Sequence, residues 1–287
     1  MLDYKSGMAK LALSIAASDP SAGAGIEQDL KVFAGHKVFG MSAITGITIQ
    51  GPSGIQKIIP TPAPDFRRIL EIFATELKPD AVKLGALVSS SHLRLARKFL
   101  EQTRAPAVLD PVLKSSTGFW LLEKSAVKEI FSLFPLVELI TPNLPEAEML
   151  TGMRVQTRDD MMLLTEKLLA RGARAVLLKG GHLPSTPLDI LWADGRTRTF
   201  RKPRLRGKFH GTGCALASAI ASNLARGFNL EKSVEKAEAY IEKAMRSAIE
   251  IKGVKYLFHA DCARRRVSGP GAAAKAACVP RSAGNRD

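Results

Sequence analysis

Short, mostly apolar runs alternate with longer amphipathic segments along most of the chain. The runs Lys10–Ala17, Ala43–Ile49, Ala81–Gly85, Ala107–Asp110, Val137–Ile140 and Ala175–Lys179 are bounded by turn residues. They show little in/out alternation, so they read as strands buried on both faces. Between them, Ala24–Ala34, Asp65–Glu76, His92–Gln102, Glu123–Leu133 and Arg158–Arg171 carry the spacing of helices. This alternation predicts βαβ crossovers and an α/β domain, a mainly parallel sheet with helices on both faces. Leu188–Trp192 and Arg198–Phe200, joined through Asp194-Gly195, read as an antiparallel hairpin at the sheet edge. Two helices follow. Cys214–Arg226 is rich in alanine and closed by Gly227. Glu231–Ile251 sets Val234, Ala237, Ile241, Met245 and Ala248 on one face.

The pattern stops after Gly253. Cys262–Asp287 is rich in Ala, Gly, Arg and Ser and has almost no apolar periodicity, so a disordered, basic tail is expected. The predicted organisation is an extension over 1–9, one domain over 10–253 and a tail over 254–287. Leu11–Ala17 is too short for a leader and no cleavage site follows it, so a cytoplasmic, reducing compartment is expected.

Composition narrows the function classes. The 287 residues include 42 Lys+Arg and 27 Asp+Glu, a formal charge of +15. With 46% hydrophobic and 24% charged residues, the chain is neither disordered throughout nor collagen-like. No apolar run approaches the roughly 18 residues that span a bilayer. Cys214, Cys262 and Cys278 are too few and too scattered for a disulfide framework or a zinc cluster. The charge invites a nucleic-acid partner, and basic stretches lie at Arg196–Lys208 and around Arg264, Arg265 and Arg266. Only 6% of residues are aromatic and neither stretch interleaves them, so a stacking surface is not expected. His36 and His92 are expected at the surface, and no His pair has metal-ligand spacing.

In a sheet of this kind ligands bind beyond the carboxyl ends of the strands, and the chemistry-bearing residues follow those ends. His210-Gly211-Thr212-Gly213-Cys214 opens a helix. Two glycines there expose backbone N–H groups at the positive end of the dipole, a setting for phosphate. Cys214 falls in the first turn, where the dipole is expected to lower its pKa so that it takes a proton from a hydroxyl. Ser18-Asp19-Pro20-Ser21-Ala22-Gly23-Ala24-Gly25 is a small-residue loop after the first strand. It matches neither the dinucleotide fingerprint nor the P-loop. Asp29 follows it, either as a hydrogen-bond acceptor or as a solvated helix residue. Asp110, Thr141-Pro142-Asn143-Leu144-Pro145-Glu146 and Lys179-Gly180-Gly181-His182 end three further strands. Two carboxylates and an Asn suit Mg²⁺ held through water and phosphate, and a Lys followed by glycines suits phosphate. Each alone also reads as a turn former, a helix-start charge or a strand end.

The segments SIAASDPSAGAGIEQDLK, ITIQG, VKLGAL, VLDPVL, LITPNLPEAEML, VLLKGGH and HGTGCALASAIA occur in this order over about residues 10–250. In this the chain resembles the ribokinase-like vitamin kinases, most of all the hydroxymethylpyrimidine/phosphomethylpyrimidine kinases of thiamine biosynthesis. The resemblance implies a three-layer α/β/α ribokinase-like fold, a homo-oligomer such as a dimer, and ATP with Mg²⁺ as cofactors. It implies transfer of the γ-phosphate to the hydroxymethyl group of a pyrimidine, then a second phosphorylation. Gly211, Gly213 and Cys214 would form the anion hole, Cys214 as general base. Asp29 and Gln50 would bond the ring, with Gly25 and Ala86 on the substrate side. Lys179, Asn143, Thr212 and Gly213 would face the nucleotide, and Asp110 and Glu146 would position Mg²⁺. Ala86 replaces a Met that the family sets against the ring. Ala17 and Ala22 replace glycines of the first loop. Ser116 stands where the family has Lys, with Lys114 two residues earlier. The Ala86 departure keeps a pyridoxal or pyridoxine kinase open. An inactive ligand-binding regulator and a nucleic-acid-binding tail are the alternatives of other classes.

Overall fold

The structure is a computed structural model that describes residues 9–51, 54–180, 188–203 and 205–259. The chain runs β1 (Leu11–Ser18), α1 (Gly25–Gly35), β2 (Phe39–Gly51), β3 (Gly54–Pro60), α2 (Ala63–Thr75), β4 (Ala81–Leu84), α3 (Ser90–Thr103) and β5 (Ala107–Leu109). A 3₁₀ segment (Lys124–Leu136) leads to β6 (Leu139–Ile140), α4 (Leu144–Thr151), α5 (Arg158–Leu169), β7 (Val176–Lys179), β8 (Leu188–Ala193) and β9 (Arg196–Arg201). β10 (Lys208–His210), α6 (Thr212–Ala225), α7 (Leu230–Arg246), β11 (Ile249–Ile251) and β12 (Val254–Tyr256) complete it.

Nine strands form one sheet in the order β3-β2-β1-β4-β5-β6-β7-β8-β9. β2 through β7 are parallel, and the antiparallel strands β3, β8 and β9 lie at the two edges. The parallel strands are apolar because both their faces are covered. On β1, Ala12 packs with residues of α1, α6 and α7, while Leu13 and Ile15 pack on the opposite side with α2, α3, α4 and α5. On β7, Leu177 takes the first side and Val176 and Leu178 the second. The three-layer α/β/α expectation therefore holds. The sheet order reverses beside β1, whose neighbours are β2 and β4, and a crevice opens at such a reversal.

The Asp194-Gly195 hairpin is present, both residues having positive φ (50° and 71°) as a two-residue turn of this kind requires. Four expectations change. The segment over 124–136 is 3₁₀ rather than α and carries Pro135. The last helix stops at Arg246 instead of Ile251, and Ile249–Ile251 turns back on Val254–Tyr256 through Lys252 and Gly253, both at positive φ. β12 also pairs with β10, and Leu257 is buried, so the folded unit passes the boundary placed at Gly253. His36 and His92 are buried, not at the surface. His36 Nδ1 donates to the Val32 carbonyl at 2.9 Å, and the His92 ring bridges Ser89 and the Thr61 carbonyl. Gly181, His182, Cys262, Cys278 and Arg264–Arg266 lie outside the described residues. In the basic stretch, Arg198 pairs with Glu231 and Glu235, and Lys202 with Asp189 and Glu238. No helix among the described residues is long and apolar enough to cross a membrane.

Candidate active site

Helix starts in this fold divide into two kinds. α3, α4, α5 and α7 are closed by the side chains of Ser89, Asn143, Thr157 and Asn229. Besides α2, which follows Pro62, α1 and α6 have no side-chain cap, so the first N–H groups of each have no acceptor at the N-cap. Both begin at the crevice. Gly211 caps α6 at φ +76°, and a Cβ there would run into the Gly23 carbonyl oxygen, so only glycine fits. Gly25 at φ +59° is equally constrained, its Cβ position lying against the Ala17 carbonyl.

Lys179, at the end of β7, reaches Asp110 Oδ1 at 2.9 Å. A Cβ on Gly213 would lie 3.1 Å from Lys179 Nζ and 3.5 Å from Asp110 Oδ2. The ends of β5 and β7 and the start of α6 therefore meet at one point. Burial works against the Lys179 charge, but Asp110 and Glu146 outweigh it and push its pKa up to about 12. The result is a fixed cation facing a helix N-terminus, with a carboxylate beside it.

Asn143 and Glu146 form a capping box. Glu146 Oε2 accepts from Asn143 N and Asn143 Oδ1 accepts from Glu146 N, both at 2.9 Å. Burial, with the Asp110 charge adding to it and Lys179 opposing it, pushes the Glu146 carboxyl up to about 8. Asp110 and Glu146 are both buried and their charges oppose each other, a setting a divalent cation relieves, and hard oxygen donors are what Mg²⁺ takes. Asp110 and Glu146 thus fit the ion the fold family implies. Without it, the folded state holds a proton on Glu146 that the unfolded chain releases near 4.5. Metal-free protein is expected to lose melting temperature as pH rises from about 5 to 8. Glu146→Gln is expected to remove that part of the slope, and a variant profile parallel to wild type would refute it.

Asp29 is fully buried, and its oxygens accept from Ser14 Oγ at 2.5 Å, Lys83 Nζ at 2.7 Å and Ser218 Oγ at 2.7 Å. It is not a solvated helix residue but the buried counter-ion of Lys83. Lys83 went unnoticed in the sequence. A lysine inside the apolar strand AVKL is itself a signal, because a charge buried on both sides of a sheet needs a partner.

Cys214 is half-buried and unbridged. Its pKa moves opposite to expectation. Burial pushes the thiol up to about 11. Asp29 and Asp110 add to this, while Lys83 and the Gly25 N–H oppose it. Desolvation is the largest of these causes.

On the substrate side, Gln50 ends β2 and hydrogen-bonds Asp19. It also borders a cavity of about 50 Å³ with Ser115, Ser116, Thr117, His210 and Tyr256. Ala86 is buried against Ala17, Val88 and Leu121. Lys114 lies over the Trp120 ring, 4.2 Å from its centroid. The Ala17 methyl is absorbed in β1, but Ala22 stands at φ +57°, where the lost glycine leaves strain. Ala22→Gly is expected to stabilise the chain by up to about 1 kcal/mol. That corresponds to a rise in melting temperature of about 2 °C. An unchanged or lower value would mean the loop relaxes around the methyl.

Known proteins resemble the chain in sequence and fold. The phosphomethylpyrimidine kinase family model matches residues 19–259. The hydroxymethylpyrimidine/phosphomethylpyrimidine kinase of Bacillus subtilis is 36% identical over 245 residues, 84% of this chain and 90% of that protein. The crystal structure of phosphomethylpyrimidine kinase from Clostridium difficile superposes with a TM-score of 0.72 at 34% identity, covering 82% of this chain and 99% of that one. An ADP complex of Bacillus subtilis pyridoxal kinase superposes with a TM-score of 0.80 at 30% identity, covering 88% and 98%. The fold, the convergence of Lys179, Asp110 and Gly213, and matches along most of the chain agree: the chain belongs to the phosphomethylpyrimidine kinase family.

Proposed function

We propose that this phosphotransferase moves the γ-phosphoryl group of ATP to the hydroxymethyl group of hydroxymethylpyrimidine and then phosphorylates the monophosphate. The observation that carries the reading is the meeting of Lys179, Asp110 and the uncapped start of α6 at Gly211–Gly213. Phosphoryl transfer asks for positioning and charge neutralisation, and those groups supply both. The N–H groups after Gly211 and the Lys179 ammonium hold the transferring oxygens. Asp110 and Glu146 would hold Mg²⁺, which supplies positive charge to the phosphates. Thr212 and Asn143 border the same point. Cys214 receives the hydroxyl proton, and Gln50, with Gly25 and Ala86 nearby, orients the ring. The nucleoside end of ATP occupies the cavity of about 510 Å³ between β9 and α7, whose lining includes Phe200, Leu205, Ile241 and Met245. Gly180, next to Lys179 in the chain, donates its N–H to Asp189, the partner of Lys202 in the wall of that cavity. A homo-oligomer would cover the exposed Ile47, Ile49 and Ile59 on the β2–β3 edge.

A pyridoxal kinase is the second reading. The superposition on the pyridoxal kinase and the small Ala86 side chain favour it. ADP release from Mg-ATP, run separately with hydroxymethylpyrimidine, its monophosphate and pyridoxal, decides. Turnover with the first two is expected. Turnover with pyridoxal alone would hand the site to the second reading.

A further inference from the structure

One carboxylate ties together three stretches that are far apart in sequence. Asp19 is 3% exposed and follows β1. Its Oδ1 accepts from Ser21 N at 2.8 Å and Ser21 Oγ at 2.7 Å, which fixes the turn of the first loop. Its Oδ2 accepts from Ala24 N at 2.9 Å and from His210 Nε2 at 3.0 Å. Because a carboxylate only accepts, His210 carries its proton on Nε2 in this pair. The Gln50 side chain bonds the same carboxyl from the end of β2. Burial pushes the Asp19 carboxyl up, but the bonds from His210, Gln50 and Ser21 more than reverse this and hold it well below the usual carboxylate range.

Packing around the pair leaves no slack. A Cβ on Gly23 would strike the His210 ring and lie 2.6 Å from the Tyr256 ring, and one on Gly211 would strike the Gly23 carbonyl. His210 immediately precedes Gly211, where α6 begins. Moving Asp19 therefore moves the first loop and Gln50 relative to the N–H groups at the start of α6. None of its named partners touches Lys179, whose ion pair is with Asp110.

We propose that Asp19 is a positioning residue which, through His210, fixes the acceptor side of the site in register with the anion hole. The inference rests on the phosphotransfer reading given above. The hydroxyl must meet the phosphorus in line, and a misplacement of about 1 Å costs on the order of 100-fold in rate. Asp19 makes no contact with the reacting atoms in this account. Its effect should fall on kcat and leave the KM for ATP almost alone.

The test is a double-mutant cycle on the full chain, with melting temperatures recorded beside the kinetics. Asp19→Asn and His210→Phe are each expected to lower kcat about 100-fold, with the KM for ATP within about threefold. The double variant is expected to be no slower than the slower single one, because both remove the same link. His210→Gln, which can again offer an N–H near Nε2, is expected to recover most of the rate. Three results would overturn the proposal: His210→Phe within threefold of wild type, effects that multiply in the double variant, or a loss that simply follows the folded fraction. Should Asp19→Asn fail to fold, the two His210 variants still decide. A wild type silent with every acceptor would refute the function instead. The same comparison would then be made on ADP formation with water as acceptor, with the same expected and overturning ratios.

Discussion

Cys214→Ala is expected to lower kcat by about 10²–10⁴-fold, the contribution of a positioned general base. ATP should still bind, because Lys179 and Asp110 pair with each other and not with the thiol. The pH profile makes the test sharper. The thiol is pushed up to about 11, so at neutral pH it is almost wholly protonated in the free enzyme. Since kcat/KM reports the free enzyme, it should climb about tenfold per pH unit between pH 7 and 9 without levelling off. Cys214→Asp places a carboxylate at the same helix start, and its profile should level off below pH 7. So weak a thiolate supply is compatible with catalysis. In a loose transition state the attacking hydroxyl gives up its proton late, when bonding to phosphorus has already made it acidic. A wild-type plateau at neutral pH would mean that substrate-free Cys214 is a lowered thiol after all. An Ala variant with near-normal kcat would send the proton elsewhere.

The parallel sheet was legible because strands buried on both faces must be largely apolar, and β1, β4, β5 and β7 are, with Ser14, Ser18, Lys83 and Lys179 as their polar positions. The site was legible in outline for a related reason. Where strands end on one rim, so do the polar residues that follow them, and Asp110, Lys179 and the glycines before Cys214 do converge. What escaped reading was whatever depends on burial across the sequence. Asp29 sits at an ordinary helical position, and only the packing of α1 and α6 against β1 and β4 places it opposite Lys83. The Cys214 pKa was read from the helix dipole, a local property, while desolvation, which is not local, sets its direction. Glu146 looked like a metal ligand or a helix-start charge. It caps α4 with Asn143 and faces Asp110 as well. The end of the fold was misplaced for a simpler reason. Lys252-Gly253 between Ile251 and Val254 is a hairpin turn, a local signal that the change of composition after it masks.

Lys83→Met is expected to cost about 3–5 kcal/mol of stability, because it strands a carboxylate in the interior. Lys83 and Asp29 are both fully buried and 2.7 Å apart. Burial pushes the Lys83 pKa down, and the Asp29 charge beside it leads the effects that more than reverse this. With the ammonium gone, Ser14 and Ser218 remain as donors to Asp29, too few to replace the lost charge. Lys83→Met combined with Asp29→Asn should recover at least half of the loss, since a neutral amide can accept from one serine through Oδ1 and donate to the hydroxyl of the other through Nδ2. The midpoint of urea unfolding reads this directly, and a single variant within about 1 kcal/mol of wild type would show that water reaches the pair. The double variant also separates stability from chemistry. Ser218 lies four residues after Cys214 on α6, so the pair sits one turn below the thiol. A folded double variant has lost the cation that opposes the rise in the Cys214 pKa, together with the Asp29 charge that adds to it. If the two cancel at the thiol, kcat/KM between pH 7 and 9 keeps its slope while the unfolding midpoint moves. The pair then belongs to the fold and not to the reaction.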